Sequence, residues 1–212
     1  MYRVLKKQLI STAAALQQKR LTVGTWGNIS LRIDGRHIAI SPSGIRFDLM
    51  KPSDISIVDI GGNRLEGKKP SVETPTHLAL YKYRADIGCV IHTHSIHTTA
   101  LSVLGLSLPP LCEDMVQLVG GEILCSDYAL PGTEDLAVNV VRGIGGNNAV
   151  MLPNHGAVCV GKDAGEAMTV CEVLEKSAEI YLLVLGKGEL KLISNRDIEI
   201  MREFIQTRYG QR

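Results

Sequence analysis

The chain has 212 residues, 45% hydrophobic and 21% charged, with 23 basic side chains against 22 acidic ones. A formal net charge of +1 gives no electrostatic reason to bind nucleic acid or an anionic membrane, and 4% aromatics argues against a base-stacking surface. No apolar run approaches the about 20 residues needed to span a bilayer, and the length suits one domain over 1–212.

The opening MYRVLKKQLISTAAALQQKR has dispersed charge and no apolar stretch followed by a cleavage site. Val4, Leu5, Leu9, Ile10, Ala13 and Leu16 recur at helical spacing, so it reads as an amphipathic helix rather than an export signal. LTVGTWGNISLRI and HIAISPSGIRF predict two short strands broken by glycine-bearing loops. A strand over Ile55–Ile60 follows, then a Gly61-Gly62-Asn63 turn and a further short strand. TPTHLALYKYRA predicts a helix with Pro75 at its start. GCVIHTHS is a buried strand and IHTTALSVLG a second helix. MVQLVGGEIL suits a helix stopped by Gly120-Gly121. TEDLAVNVVRGIGG is a helix capped by Thr133. NAVMLPNHGAVCVG predicts two adjacent strands joined by a Pro153-Asn154-His155-Gly156 turn. A long helix over DAGEAMTVCEVLEKSAEIYLLVLG and a last one from about Asp197 close the chain. Helices interspersed with antiparallel-capable strands indicate one α/β domain in three layers.

Cys89, Cys112, Cys125, Cys159 and Cys171 are odd in number and form no CxxC pair. They read as small hydrophobes in a reducing cytosol, which points to a cytoplasmic protein.

Chemistry concentrates in a few motifs. His92 and His94, two residues apart in VIHTHS, fall on one side of an extended strand. With His155 from LPNHGA they can make a three-nitrogen set that leaves a metal one open position, the layout of a catalytic zinc site; the alternative is that His92 and His94 are hydrogen-bonded core residues. Glu73 is the candidate base. Gly24-Thr25-Trp26-Gly27-Asn28, Ser41-Pro42-Ser43-Gly44 and Pro70-Ser71 each put amides and hydroxyls in a loop. Such loops can cradle a phosphate, and tight turns use the same residues.

TWGNIS, SPSG, PSVETPTHLALY, VIHTHS and LPNHGA, in this order and spacing, resemble the class II aldolase/adducin family from about residue 5 to the C-terminus. The resemblance implies a central, mainly antiparallel sheet flanked by helices, and a fourfold-symmetric homotetramer with sites between subunits. It implies that His92, His94 and His155 bind one Zn2+ per subunit, and that Glu73 is the acid/base residue and a further ligand of the resting metal; three imidazoles and a carboxylate also admit Mn, Co or Fe. Gly27, Asn28, Ser43, Gly44 and Ser71 match the phosphate-binding loops. Tyr209, in the terminal RYG, sits where the family's aldolase has a tyrosine of its mobile tail. The implied reaction is reversible cleavage of a ketose 1-phosphate, such as L-fuculose 1-phosphate, to dihydroxyacetone phosphate and an aldehyde through a metal-stabilised enediolate.

Two positions depart from that pattern. Val72 replaces a second phosphate-contacting serine. Cys112-Glu113-Asp114-Met115 lacks the tyrosine that a neighbouring subunit contributes as proton donor. Related enzymes place an acid there, so Asp114 or Glu113 becomes a candidate second acid/base group, and a 4-epimerase or methylthioribulose-1-phosphate dehydratase is the alternative activity. The same two carboxylates also suit a helix N-terminus. His77 and His97 read as packing or surface residues, and Trp26 as a structural wedge beside the phosphate loop, with substrate contact the lesser alternative.

Overall fold

Alternation along the strands sorts side chains onto the two faces of one sheet, and helices close both. In the computed structural model, which describes residues 2–208, seven strands run β1 (Asn28–Arg32), β2 (His37–Ile40), β3 (Ser56–Asp59), β4 (Arg64–Glu66), β5 (Cys89–Thr93), β6 (Ala149–Leu152) and β7 (Gly156–Gly161). Their spatial order is β4-β3-β2-β1-β5-β7-β6. Every pairing between these strands is antiparallel.

Among the described residues seven α-helices surround the sheet: α1 (Arg3–Gln18), α2 (Thr74–Tyr83), α3 (Ile96–Val103), α4 (Glu113–Leu118), α5 (Glu134–Ile144), α6 (Ala164–Val184) and α7 (Asn195–Thr207). Ile29, Leu31, Ala39, Cys89, Ile91, Ala157 and Cys159 point to one face, where α1, α3, α4 and α6 cover them through Leu9, Leu16, Leu101, Met115, Val170 and Leu174. Ile38, Ile40, Val90, Val150, Val158 and Val160 point to the other, under Leu78, Leu80 and Tyr81 of α2 and Leu136, Val140 and Ile144 of α5. Each large aliphatic side chain buried this way contributes about 1.5–3 kcal/mol. The expected three-layer α/β architecture is therefore what the chain forms.

Capping follows the sequence closely. Thr133 accepts from the Leu136 amide, Asp163 from Glu166 and Ser194 from Asp197, starting α5, α6 and α7. The α7 helix thus begins two residues ahead of its expected start. The α4 helix also starts earlier than expected, at Glu113, and ends before Gly120, whose φ of 140° no side-chain-bearing residue adopts easily. The N-terminal amides of α3 are met from a distance: the Glu175 carboxylate of α6 accepts from the His97 and Thr98 amides and from the His97 ring. His97 is accordingly structural. Among the described residues, no helix is long and apolar enough to cross a membrane.

Candidate metal centre

His92 stands opposite Asn28 of β1 and Val158 of β7 in the ladder, on the face covered by α2 and α5. His94 follows just past the strand, its amide tied to the Leu21 carbonyl at 3.0 Å. His155 arrives from the β6–β7 turn, where Asn154 adopts the left-handed conformation (φ 57°) that asparagine tolerates. Gly156 lets this turn close on β5, because a Cβ there would collide with the Thr93 carbonyl oxygen. Gly27 plays the same part on the other side, where a Cβ would lie 2.8 Å from the His92 carbonyl oxygen.

These contacts bring three Nε2 atoms together. His92 Nε2 lies 2.8 Å from His94 Nε2 and 3.2 Å from His155 Nε2. Nitrogens bound tetrahedrally to one zinc at about 2.0–2.1 Å are ~3.3 Å apart, so the spacing is near that of a shared ion, with His94 somewhat closer. His92 Nδ1 faces the Ala157 carbonyl at 3.0 Å. A carbonyl only accepts, so Nδ1 carries the proton and Nε2 offers its lone pair to the cluster. Burial pushes the His94 imidazole down to about 3 and the His155 imidazole down to about 4, with His92 adding to both effects. Three imidazole nitrogens that converge in this way can share one cation.

Glu73 completes the group from the residue preceding α2. It is 5% exposed, with Oε2 3.3 Å from His92 Nε2 and Oε1 3.5 Å from His155 Nε2. Oε2 also accepts from Asn28 Nδ2 at 2.7 Å, whereas buried Oε1 has no hydrogen-bond partner. Burial opposes ionisation of Glu73, but the field of His92, the Asn28 hydrogen bond and His155 outweigh it and hold the carboxyl below its ordinary value. Three imidazole nitrogens and an unpartnered buried carboxylate oxygen fit a divalent transition metal with an open position.

Beside this group is a cavity of about 250 Å³. Gly27, Asn28, Ser43, Gly44 and Ser71 all line it, as do Glu73, His94 and His155. Two loops are drawn together by backbone bonds from Ser43 to the Lys69 carbonyl and from Ser71 to the Ser41 carbonyl, at 2.9 and 3.1 Å. Ser71 Oγ in turn accepts from the Glu73 amide. Val72 lines the same cavity and is exposed, so its side chain presents methyl groups where a hydroxyl is absent.

Trp26 stands beside the loops as expected, 66% exposed on the cavity lining with its ring 6.0 Å from that of His94. His77 is buried, as its packing reading expects, and is in addition hydrogen-bonded to Asn28 and Ser30. Its signal is present in the sequence, because Glu73 and His77 are four residues apart at the start of a helix and share a face. Asp114 stands apart from the histidines of its own chain. It pairs with Lys176 and lines a separate, larger cavity of about 710 Å³ between α4, α6 and α7. Glu113 is exposed beside it. Tyr209 lies outside the described residues.

A three-histidine, one-carboxylate centre on an antiparallel sheet, next to an amide-rich cavity, defines a metal-dependent enzyme site. Residues 7–182 match the family model described as the Class II Aldolase and Adducin N-terminal domain, and the chain belongs to that family. It is 34% identical to 5-deoxy-D-ribulose 1-phosphate aldolase of Bacillus thuringiensis serovar kurstaki, covering 97% of each chain. It is 32% identical to L-fuculose phosphate aldolase of Escherichia coli K12, over 98% of this chain and 96% of the relative. A solved L-fuculose 1-phosphate aldolase superposes with a TM-score of 0.93 at 36% identity, covering 97% of this chain and 98% of that one. The chain is a class II aldolase, a carbon–carbon lyase of a metal-dependent family.

Proposed function

We propose that this aldolase uses zinc to cleave a ketose 1-phosphate reversibly into dihydroxyacetone phosphate and an aldehyde, with L-fuculose 1-phosphate the leading substrate. The observation that carries the proposal is the buried, unpartnered Oε1 of Glu73 beside three converging imidazole nitrogens, at the wall of an amide- and hydroxyl-lined cavity. The relatives support the substrate class, since both are named for phosphorylated ketoses.

In this reading His92, His94 and His155 hold the metal, with Glu73 as a further ligand of the resting site. When bound, the cation supplies positive charge that polarises the substrate carbonyl and favours the developing enediolate. Gly27, Asn28, Ser43, Gly44 and Ser71 receive the phosphate. Asn28 Nδ2 gives one hydrogen to Glu73 and keeps the other for this role. In the condensing direction Glu73 removes a proton from the carbon next to the carbonyl, and the electron pair left on that carbon attacks the aldehyde. The aldehyde oxygen takes a proton from a second acid, and cleavage is the reverse. Asp114 of a neighbouring copy is the candidate for that acid, with Glu113 beside it.

A homotetramer with sites between subunits agrees with the cavity. Its volume falls below the about 300–1,000 Å³ common for small-molecule sites, and exposed Trp26, Val72 and Leu130 lie at or next to its lining. A second copy laid there would enlarge the walls and exclude water. Free thiols at all five cysteines accord with a cytoplasmic enzyme.

The test is a coupled assay for dihydroxyacetone phosphate on the zinc-loaded protein, offered L-fuculose 1-phosphate, 5-deoxy-D-ribulose 1-phosphate and other ketose 1-phosphates. Release that a chelator abolishes is the expected result. Consumption of a pentulose phosphate or methylthioribulose 1-phosphate without that product would instead establish the second reading, an epimerase or dehydratase. The acidic Glu113-Asp114 pair in place of a tyrosine is what favours that second reading.

A further inference from the structure

We propose that His77 is a positioning residue for Glu73, acting through Asn28 to hold the carboxylate with Oε2 restrained and Oε1 free. The inference deepens the proposed function and rests on Glu73 being the base.

The helix and strand repeats make the arrangement. Glu73, at the N-cap of α2, and His77 and Tyr81 within it are spaced by four, about 6 Å per step. Asn28 and Ser30 are spaced by two along β1, about 6.8 Å per step. The two rows therefore interleave across the α2–sheet interface. Glu73 Oε2 faces Asn28 Nδ2 at 2.7 Å and Asn28 Oδ1 faces His77 Nε2 at 2.5 Å. His77 Nδ1 faces Ser30 Oγ at 2.6 Å and Ser30 Oγ faces Tyr81 Oη at 2.9 Å. All five residues are buried.

Hydrogen-bond chemistry fixes the direction of this chain. An ionised carboxylate only accepts, so the amide nitrogen of Asn28 faces Glu73 and its oxygen faces His77. That oxygen also only accepts, so His77 carries its proton on Nε2. Nδ1 is then an acceptor and takes the Ser30 hydroxyl proton, leaving Ser30 Oγ to accept from Tyr81. Every donor points toward Glu73. Burial pushes the His77 imidazole down to about 3, which agrees with a neutral ring. A reversed Asn28 would aim its oxygen at the Glu73 carboxylate and its NH2 at the donor Nε2–H, repulsive at both ends. His77 thereby decides which way Asn28 faces, and Asn28 restrains Oε2 of Glu73.

Two variants separate this role from simple filling of space. The Gln side-chain nitrogen falls near imidazole Nε2 and keeps a donor for Asn28, whereas Asn reaches only to the position of Nδ1. His77→Asn is expected to lower kcat by about 10- to 100-fold, the usual cost of removing an outer-shell partner, with KM little changed. His77→Gln is expected to restore most of that loss. Equal kcat for both variants, with only the melting temperature reduced, would overturn the proposal. Long-range 1H–15N spectra of the histidine rings, recorded on the full-length chain as purified, supply a readout independent of turnover. His77 is expected as the neutral Nε2–H tautomer; a charged or Nδ1–H ring would overturn the proposal whatever the enzyme cleaves. Absence of dihydroxyacetone phosphate release by the wild-type chain would count against the proposed function alone and leave the tautomer result standing.

Discussion

The two faces of β1 and β5 carry the same backbone and opposite chemistry. Ile29, Leu31, Cys89 and Ile91 on one face are buried among apolar side chains of α1 and α6. Asn28, Ser30 and His92 on the other meet Glu73, His77 and Tyr81 through hydrogen bonds and close polar contacts. Apolar burial is non-directional and tolerates small displacements. A buried polar group is costly unless each partner is met, so the second face has a much narrower set of acceptable arrangements. One face of these strands is purely apolar, while the other sets a polar row beside an apolar core that includes Val90 and Val158.

Substitutions can test that division. Glu73→Gln leaves the shape and removes the proposed base, so turnover should fall about 10²- to 10⁴-fold, while zinc remains bound by metal analysis; full retained activity would refute the assigned role. On the opposite face, Ile91→Ala should cost about 2–5 kcal/mol of stability, read from the denaturant midpoint, with kcat of the folded fraction unchanged. A parallel loss of kcat would show that the two faces are not separable.

The pH dependence of the metal-free protein gives a third test. His94 and His155 have folded values of about 3 and about 4 against an ordinary 6.5. The unfolded chain therefore takes up protons first as the pH falls below about 6.5, and stability declines down to about pH 3–4. Glu73, with its carboxyl also held below its ordinary value, acts in the same direction at the acid end. Melting temperature should drop between about pH 7 and about pH 5, and His94→Gln should flatten the slope, whereas Ile91→Ala should leave it unaltered. The smallest expected effect is that of Val72→Ser at the exposed cavity wall. One added hydroxyl donor, worth about 0.5–1.5 kcal/mol, should lower KM a few-fold for a phosphorylated substrate and leave kcat as it was. An unchanged KM would remove Val72 from the phosphate wall.

Much of the fold and site is legible in the sequence because local rules act on short stretches. The cap at Thr133, the turn at Pro153–Gly156, the alternating strands and the histidine motifs are each contained within a few residues. His77 escapes such a reading because three histidines and Glu73 already fill a metal shell, although its four-residue spacing from Glu73 is visible. Trp26 is placed beside its loop by the sequence, and only the folded loop shows its ring lining the cavity. Asp114 can be proposed from its motif, but not located. The turn of α4 puts it beside Lys176, so any part in the reaction depends on a neighbouring copy.

Element order, the three-layer class, the three histidine motifs and the family all follow from the chain read in order, since periodicity, caps and motifs are local properties. Which oxygen of Glu73 is left free, which way Asn28 faces and the place of His77 behind it emerge only on folding. Those facts arise where a helix stepping about 6 Å every four residues meets a strand stepping about 6.8 Å every two. That match joins residues 45 to 51 positions apart, and no local rule of sequence encodes it.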